Sequence, residues 1–126
     1  MTSPAGRIRH QDDLEQYVPP NHHGTVNLRL IEKDFCGAFE MVHGTLDPGG
    51  VAEAHDHEIE HQVIYVLEGI CDVTLGEAPT VECGAGTIVE IPPKVMHEVV
   101  AKGNAPLKVL VIYSPPLQPR DDVPVD

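Results

Sequence analysis

Histidines are the residues of this 126-residue chain best suited to chemistry, and there are 8 of them. His55 and His57 are separated by one residue and follow a Pro-Gly-Gly segment. Because side chains two residues apart on a strand share a face, both imidazoles can reach one metal ion at about 2.0–2.2 Å. The pair alone is weak evidence, so the elements that position it must decide its meaning.

Those elements are predicted to be short β-strands. Strand-length segments rich in β-branched residues are separated by Gly- and Pro-containing turns. They cover residues 25–31, 36–46, 63–67, 70–75, 87–91, 97–101 and 106–113. Seven or eight short strands at this spacing predict an all-β sandwich, jelly roll or small barrel.

Length and composition exclude several classes of protein. A chain of 126 residues fits one domain. Its net charge of −12 opposes nucleic acid and anionic membranes as partners, and no apolar run is long enough to span a bilayer. The three cysteines, Cys36, Cys71 and Cys83, form no Cys-x-x-Cys pair. We interpret them as reduced thiols of a cytoplasmic protein.

The ends of the chain differ from its centre. Residues 1–24 are polar and proline-marked, which predicts an N-terminal arm with at most one helical turn over 12–17. Residues 25–116 form the predicted barrel, and 117–126 an acidic, Pro-rich tail without an obvious contribution to the core. Segments 63–67 and 109–113 are apolar on both faces, so a second subunit is expected to cover one face in a homodimer.

Two spaced motifs resemble those of the cupins. The first, G(x5)HxH(x3,4)E(x6)G in that family, is similar to the run Gly49, His55, His57, Gln62 and Gly69. The second, G(x5)PxG(x2)H(x3)N, is similar to the run Gly86, Pro92, Lys94 and His97. The resemblance implies a six- to eight-stranded jelly-roll β-barrel with one divalent metal ion in its mouth. It also implies that His55, His57 and His97 are ligands of that ion.

The fourth ligand departs from the family, in which it is usually glutamate. Counting back from Gly69 places Gln62 at that position, whereas His61 lies at the shorter spacing the motif also permits. Neighbouring residues on a regular strand point to opposite faces, so only one of the two can face the metal. We favour Gln62 and keep His61 as the alternative. Lys94 replaces the motif's glycine, which predicts a somewhat different turn, and Ala101 replaces its terminal asparagine.

Three imidazoles and one amide would leave the full charge of a divalent ion uncompensated. Such an ion is a strong Lewis acid toward a carbonyl or a developing enolate. Mixed nitrogen and oxygen ligation suits Mn, Fe, Co, Ni, Cu or Zn. The resulting hypothesis is an enzyme of isomerase, lyase or dioxygenase type that acts on a small oxygenated organic acid or ketone. The alternative is a non-catalytic cupin that binds or senses a small molecule.

A minor candidate comes from within the family. The ligand set is similar to that of small cupins that ketonise unsaturated sugar acids, where an Asp lies on the last strand two residues before an aromatic. Here Val111 stands two residues before Tyr113, so the acid is missing.

Further residues are candidates for roles near the ion. Tyr65 and Tyr113 could act as acid or hydrogen-bond donor, and His43 as a proton shuttle, although packing explains each of them as well. Arg29 could bind a substrate carboxylate, pair with Glu40 or contact a second subunit. His22 and His23 either cover the barrel mouth or lie in a solvated loop, and Asp56, Glu58 and Glu60 are expected to face solvent.

Overall fold

The structure is a computed structural model that describes residues 5–118. This part of the chain contains one short 3-10 turn, Gln11–Asp13, and nine strands. The strands are β1 (Gln16–Tyr17), β2 (His22–Ile31), β3 (Glu40–His55), β4 (His61–Glu68), β5 (Ile70–Leu75), β6 (Val81–Cys83), β7 (Ile88–Ile91), β8 (His97–Lys102) and β9 (Leu107–Ser114). The all-β fold class predicted from the sequence is confirmed. The short strands β1 and β6 were not predicted, because two or three residues are too few to show the pattern of apolar residues that marks a strand.

All nine strands belong to one antiparallel sheet. Its order is β6-β5-β8-β3-β9-β4-β7, and β2 with β1 attached pairs along β3. The long strand β3 has two partners in succession: residues 40–46 pair with β9, and residues 51–55 pair with β8. The sheet therefore turns a corner within β3 and encloses a core, as in the jelly-roll barrel that the motifs implied.

The corner of β3 lies at Asp47-Pro48-Gly49-Gly50, which the sequence predicted to be a turn between strands. The segment instead stays within β3 as an irregularity, where the register with β2 shifts between His23 and Thr25. A Cβ on Gly50 would lie 2.9 Å from the Asp47 carbonyl oxygen and 3.0 Å from that of His23. Glycine is required there because two backbones cross without room for a side chain.

The core fills the inner face of this curled sheet. In β4 the inner residues Ile64 and Val66 are buried, whereas Tyr65 on the outer face is 42% exposed. The same alternation holds in β9, where residues 107, 109, 111 and 113 are buried. Strands that looked apolar on both faces thus bury one face within this chain and leave the other half-exposed.

The predicted arm and tail both contact the barrel. β1 and the first residues of β2 fall within 1–24, and β1 pairs with β2 through Tyr17 and Asn27. Leu117 packs against the core, which differs from the expected lack of core contribution by the tail. Residues 1–4 of the arm and 119–126 of the tail lie outside the described residues. No helix within 5–118 is long and apolar enough to cross a membrane.

Candidate metal centre

Three histidines from two strands and a loop converge at one end of the barrel. His55 ends β3 and lies directly across from His97, which begins β8, while His57 follows in the loop before β4. The ring centroids of His55 and His97 are 4.3 Å apart, and those of His57 and His97 are 5.4 Å apart. One nitrogen of each ring lies within 4.8 Å of the others, which is compatible with a shared metal ion. We call these three residues the histidine cluster.

Backbone carbonyls fix which ring nitrogens are available. His55 Nδ1 donates to the Glu53 carbonyl at 2.6 Å, and His97 Nδ1 donates to the Val95 carbonyl at 3.0 Å. Since a carbonyl can only accept, the proton must reside on Nδ1 in both rings and the lone pair on Nε2. Metal-binding histidines are commonly held in this way.

The loop that carries His57 is tied to the second motif. The backbone N–H of Lys94 donates to the His57 carbonyl at 2.7 Å. Lys94 itself has a φ of 68°, the left-handed conformation that favours glycine. Lysine thus adopts, at the position of the motif's glycine, a backbone conformation that glycine adopts more easily; the different turn predicted from this substitution remains a prediction. A lysine in this region costs about 1–2 kcal/mol.

Gln62 faces the histidine cluster and His61 does not. Gln62 is 5% exposed and lines the same cavity as His55 and His97, whereas His61 is exposed on the outer face of β4. The Gln62 Nε2 donates to the Tyr113 hydroxyl at 3.5 Å, which leaves its Oε1 as an acceptor.

Two buried acceptor atoms test whether a cation fits here. Gln62 Oε1 and His97 Nε2 are both buried, and neither has a hydrogen-bond partner within residues 5–118. A buried acceptor without a donor costs roughly 1–3 kcal/mol. Both atoms offer a lone pair. A lone pair can bind a metal cation, and it would repel an anion. The donor set therefore fits a divalent ion.

Burial also keeps His97 neutral. Removal from water is the main cause that lowers the pKa of His97, and the neighbouring imidazoles of the cluster lower it further. The pKa is about 4, although the hydrogen bond to the Val95 carbonyl acts in the opposite direction. A neutral imidazole is the form that binds a metal.

The cavity beside the cluster is small and mostly apolar. Its volume is about 50 Å³, which is room for a few water molecules. Residues from both halves of the sheet line it, among them Ile64, Val99, Val109 and Val111. Tyr113 lines it too, with its ring edge-on to His57 at 5.5 Å between centroids. Of the two tyrosines selected from the sequence, Tyr113 thus lies at the cluster.

His22 contributes a fourth imidazole to this cavity. The sequence left open whether this residue covers the barrel mouth or lies in a solvated loop. Its ring centroid is 6.4 Å from that of His55, and its Nδ1 lies 3.3 Å from the Thr25 hydroxyl. Burial, and secondarily His55 and His23, lower its pKa to about 4. The pairing of His22 with Ala52 brings it here, so only the register of β2 on β3 could reveal it.

Several residues selected from the sequence lie elsewhere. Tyr65 and His43 are on the outer face of the sheet, opposite in direction to the buried Ile64 and Val42, so neither contacts the cluster. His43 instead lines an external groove beside the 3-10 turn. Glu60, expected to face solvent, is only 2% exposed. Its carboxylate accepts the backbone N–H of Gln118 at 2.7 Å.

The family follows from a comparison with known proteins. The sequence profile of the cupin domain matches residues 42–113, which include the whole histidine cluster and Gln62. The chain is a cupin. The membership of the cupin family implied by the two motifs is thereby confirmed.

Known proteins similar to this cupin extend the comparison. The uncharacterized protein MJ1618 of Methanocaldococcus jannaschii is 36% identical over 112 residues, 87% of each chain. The polyketide cyclase RemF from Streptomyces resistomycificus is 27% identical with a TM-score of 0.77, over 91% of this cupin and 83% of RemF. KdgF from Halomonas sp. is 26% identical with a TM-score of 0.74, over 94% of this cupin and 98% of KdgF.

Proposed function

We propose that this cupin is an enzyme that holds one divalent transition metal ion and acts on a small oxygenated organic acid or ketone without net oxidation. The observation that carries the proposal is the neutral donor set. Three imidazoles converge beside the amide oxygen of Gln62, whose Oε1 is buried without a hydrogen-bond partner in the described chain. No donor in this set reduces the positive charge of the ion.

The nitrogen-rich donor set suits Mn, Fe, Co, Ni, Cu or Zn. When bound, such an ion would supply Lewis acidity toward a carbonyl oxygen and so make the protons on the adjacent carbon more acidic. A carboxylate ligand would cancel part of that charge, and also would better support higher oxidation states. The neutral set therefore favours isomerase or lyase chemistry over dioxygenation.

The chain's own residues orient the site and keep it dry. The Tyr113 hydroxyl accepts from Gln62 Nε2 and so directs Gln62 Oε1 toward the cavity. The apolar walls formed by residues such as Val99 and Val109 exclude bulk water, which strengthens electrostatic interactions inside. His22 presents a neutral imidazole that can donate or accept a hydrogen bond to a bound ligand.

The similarity to RemF supports carbonyl chemistry. That protein is described as a polyketide cyclase, and a polyketide carries several ketone groups. The likeness covers most of both chains. Cyclisation of a compound that carries ketone groups is compatible with the Lewis-acid chemistry that the donor set of this cupin favours.

Metal content tests the site itself. Elemental analysis of the untagged protein, reconstituted with each candidate metal, should find about one ion per chain in the wild type. His97→Ala should lose the ion and Gln62→Ala should hold less of it. His61→Ala is the matched control, because the neighbouring side chain points outward. An absence of bound metal after reconstitution would overturn the proposal.

Proton exchange tests the reaction. Small ketones and oxo acids incubated in D₂O with the metal-loaded protein should exchange their α-protons at least tenfold faster than with His97→Ala, as followed by NMR. Saturable binding without exchange would contradict the enzyme and support the non-catalytic binding cupin. Metal-dependent oxygen uptake with any of these compounds would contradict the redox-neutral reaction.

A further inference from the structure

The residues that follow β9 turn back over one end of the barrel. We call residues 115–118 the strap. Leu117 packs against the hydrophobic core, and Pro116 before it is buried. Because the two prolines of the strap carry no N–H, Leu117 and Gln118 supply its two backbone donors.

Both backbone donors of the strap end on buried carboxylates. The N–H of Leu117 donates to Glu40 Oε1 at 2.6 Å, and the N–H of Gln118 donates to Glu60 Oε2 at 2.7 Å. Glu40 and Glu60 are 9% and 2% exposed. Within residues 5–118 the strap makes no backbone hydrogen bond with a strand. Side chains, and not sheet pairing, therefore fasten it.

Neither carboxylate pairs with a cation in the described part of the chain. Arg29, for which the sequence offered Glu40 as a partner, instead lies with its Cζ 4.0 Å from the centroid of the Tyr17 ring. A buried carboxylate that meets neutral N–H donors alone keeps part of its desolvation cost. Two negative charges beside one short segment also repel each other. The strap is thus held less firmly than the strands.

The strap lies beside the candidate metal centre. Tyr113 in β9 pairs with Glu40 on one side and with Gln62 on the other, and all three side chains are buried. The Tyr113 ring is edge-on to His57, with 5.5 Å between centroids. A segment fastened at Glu40 and at Glu60, two residues before Gln62, spans this row of side chains. It therefore closes the barrel end at which Gln62 and Tyr113 lie.

The candidate site is closed to ligands in this arrangement. Gln62 Oε1 and His97 Nε2 are buried, and the cavity of about 50 Å³ beside them has room for a few water molecules. The proposed function requires an ion to reach these atoms and a small organic molecule to reach the ion. Part of the wall must therefore move, as lids do in many enzymes.

We propose that the strap is a gate, and that release of Leu117 and Gln118 from the two carboxylates opens the barrel end and admits ion and substrate to the histidine cluster. This inference rests on the proposed function, because a sealed site requires a gate when ligands must enter it. The gate sets the rates of entry and exit and leaves the donor set unchanged. Loosening the strap should therefore speed both directions by the same factor.

Access to His97 can be measured without any metal. Diethyl pyrocarbonate modifies neutral imidazole nitrogens, and peptide mass spectrometry gives the rate at each histidine. In the chelator-treated wild type, His97 should react on the order of tenfold more slowly than the exposed His61. Leu117→Ala removes the apolar anchor of the strap, and Glu60→Gln replaces one carboxylate. Each variant should speed the reaction of His97 about fivefold and leave the rate at His61 unchanged.

Val73→Ala is the matched control for a general loss of stability. Val73 is 5% exposed in β5, which pairs with β6 and β8 and not with the strands beside the strap. It should leave the rate at His97 close to that of the wild type, at a loss of stability in urea similar to that of Leu117→Ala. The thiol of Cys71, 1% exposed in β5, should react with an aromatic disulfide reagent as slowly in both strap variants as in the wild type.

Metal exchange provides a second readout. Uptake of Co²⁺ by the metal-free protein, and its loss to a chelator, should both be faster in Leu117→Ala than in the wild type. The two rates should rise by the same factor and leave the Kd for Co²⁺ unchanged, because the Kd is their ratio. A residue that only supported the ligands would change the Kd.

Three results would overturn the gate: an unchanged rate at His97 in both strap variants, an equal acceleration in Val73→Ala, or fast reaction of Cys71 in both strap variants. Failure of the proposed function is read separately. A protein that holds no Co²⁺ but shows strap-dependent modification of His97 keeps the gate and loses the metal enzyme. A protein that binds Co²⁺ and whose His97 reacts at a rate independent of the strap loses the gate alone.

Discussion

Gly44 on β3 lies directly across from Asn27 on β2, and a Cβ at position 44 would lie 2.9 Å from the Asn27 Oδ1. It would also lie 3.3 Å from Val109 Cγ2. Both residues line the cavity beside the histidine cluster. The missing side chain of Gly44 is therefore what allows a buried amide to occupy the barrel wall.

Gly44→Ala should lower the free energy of unfolding by about 1–3 kcal/mol, because the added methyl group overpacks the wall. Urea denaturation measures the loss. Gly84→Ala is the matched control, since a Cβ there meets nothing within 4 Å. It should leave the stability unchanged or raise it slightly. Equal stabilities of the two variants would show that the cavity wall can relax around the methyl group.

Glu60→Gln should destabilise the protein by about 1–3 kcal/mol, because the buried carboxylate accepts the N–H groups of Gln118 and Ile59. An amide presents one accepting oxygen instead of two and places an NH₂ beside these donors. Chemical denaturation measures the stability of this variant. Glu58→Gln is the matched control, because it alters an exposed carboxylate two residues earlier. A similar midpoint for both variants would mean that the contact of the C-terminal segment with Glu60 contributes nothing to stability.

The metal-free protein should lose stability as the pH falls from 6.5 toward 4. Burial lowers the pKa of His97 and of His22 to about 4, whereas both would titrate near 6.5 when unfolded. In this window the unfolded state binds more protons, so acid favours unfolding, by on the order of 2 kcal/mol per histidine after allowance for partial solvent exposure. Above pH 6.5 this contribution is constant.

Urea titrations of chelator-treated protein at several pH values between 7 and 4 measure this slope. His22→Gln should give a shallower dependence than the wild type, because one buried histidine no longer takes up a proton on unfolding. His61→Gln, which changes a side chain outside the cluster, should follow the wild type. If the stability of the wild type and of His22→Gln fell equally with pH, the lowered pKa of His22 would be contradicted.

The homodimer predicted from the sequence remains a prediction, and the outer face of the sheet indicates where to test it. Tyr65 pairs in register with Ile88 on one side and Leu110 on the other, and Ile88 is 63% exposed. Tyr65→Glu should convert a dimer to a monomer in light scattering, because it buries a charge in a subunit contact and adds to a net charge of −12 per chain. Val81→Glu, on edge strand β6, is the control. A wild type that is monomeric at micromolar concentration would refute the dimer.

Much of the barrel was predictable because its strands are short apolar runs between turn residues. Segment 70–75 was predicted with the bounds that β5 has, and most other strands differ by a few residues at their ends. The corner in β3 was not predictable, because Pro-Gly-Gly reads as a turn whether a strand ends there or only bends. The strand β1 depends on its pairing with β2 and has no pattern of its own.

The sequence by itself determined the residue types and spacing of the candidate site: His55, His57 and His97 at the positions of the cupin motifs. Tertiary structure decided the directions of side chains. Alternation could not choose between His61 and Gln62, because either face of an apolar strand can be the inner one until its register with β7 and β9 is known. Partners distant in the chain likewise decided that Glu60 is buried, that Tyr65 faces outward and that Arg29 stacks on Tyr17. Burial and pairing are properties of strands brought together by folding, which no local pattern specifies.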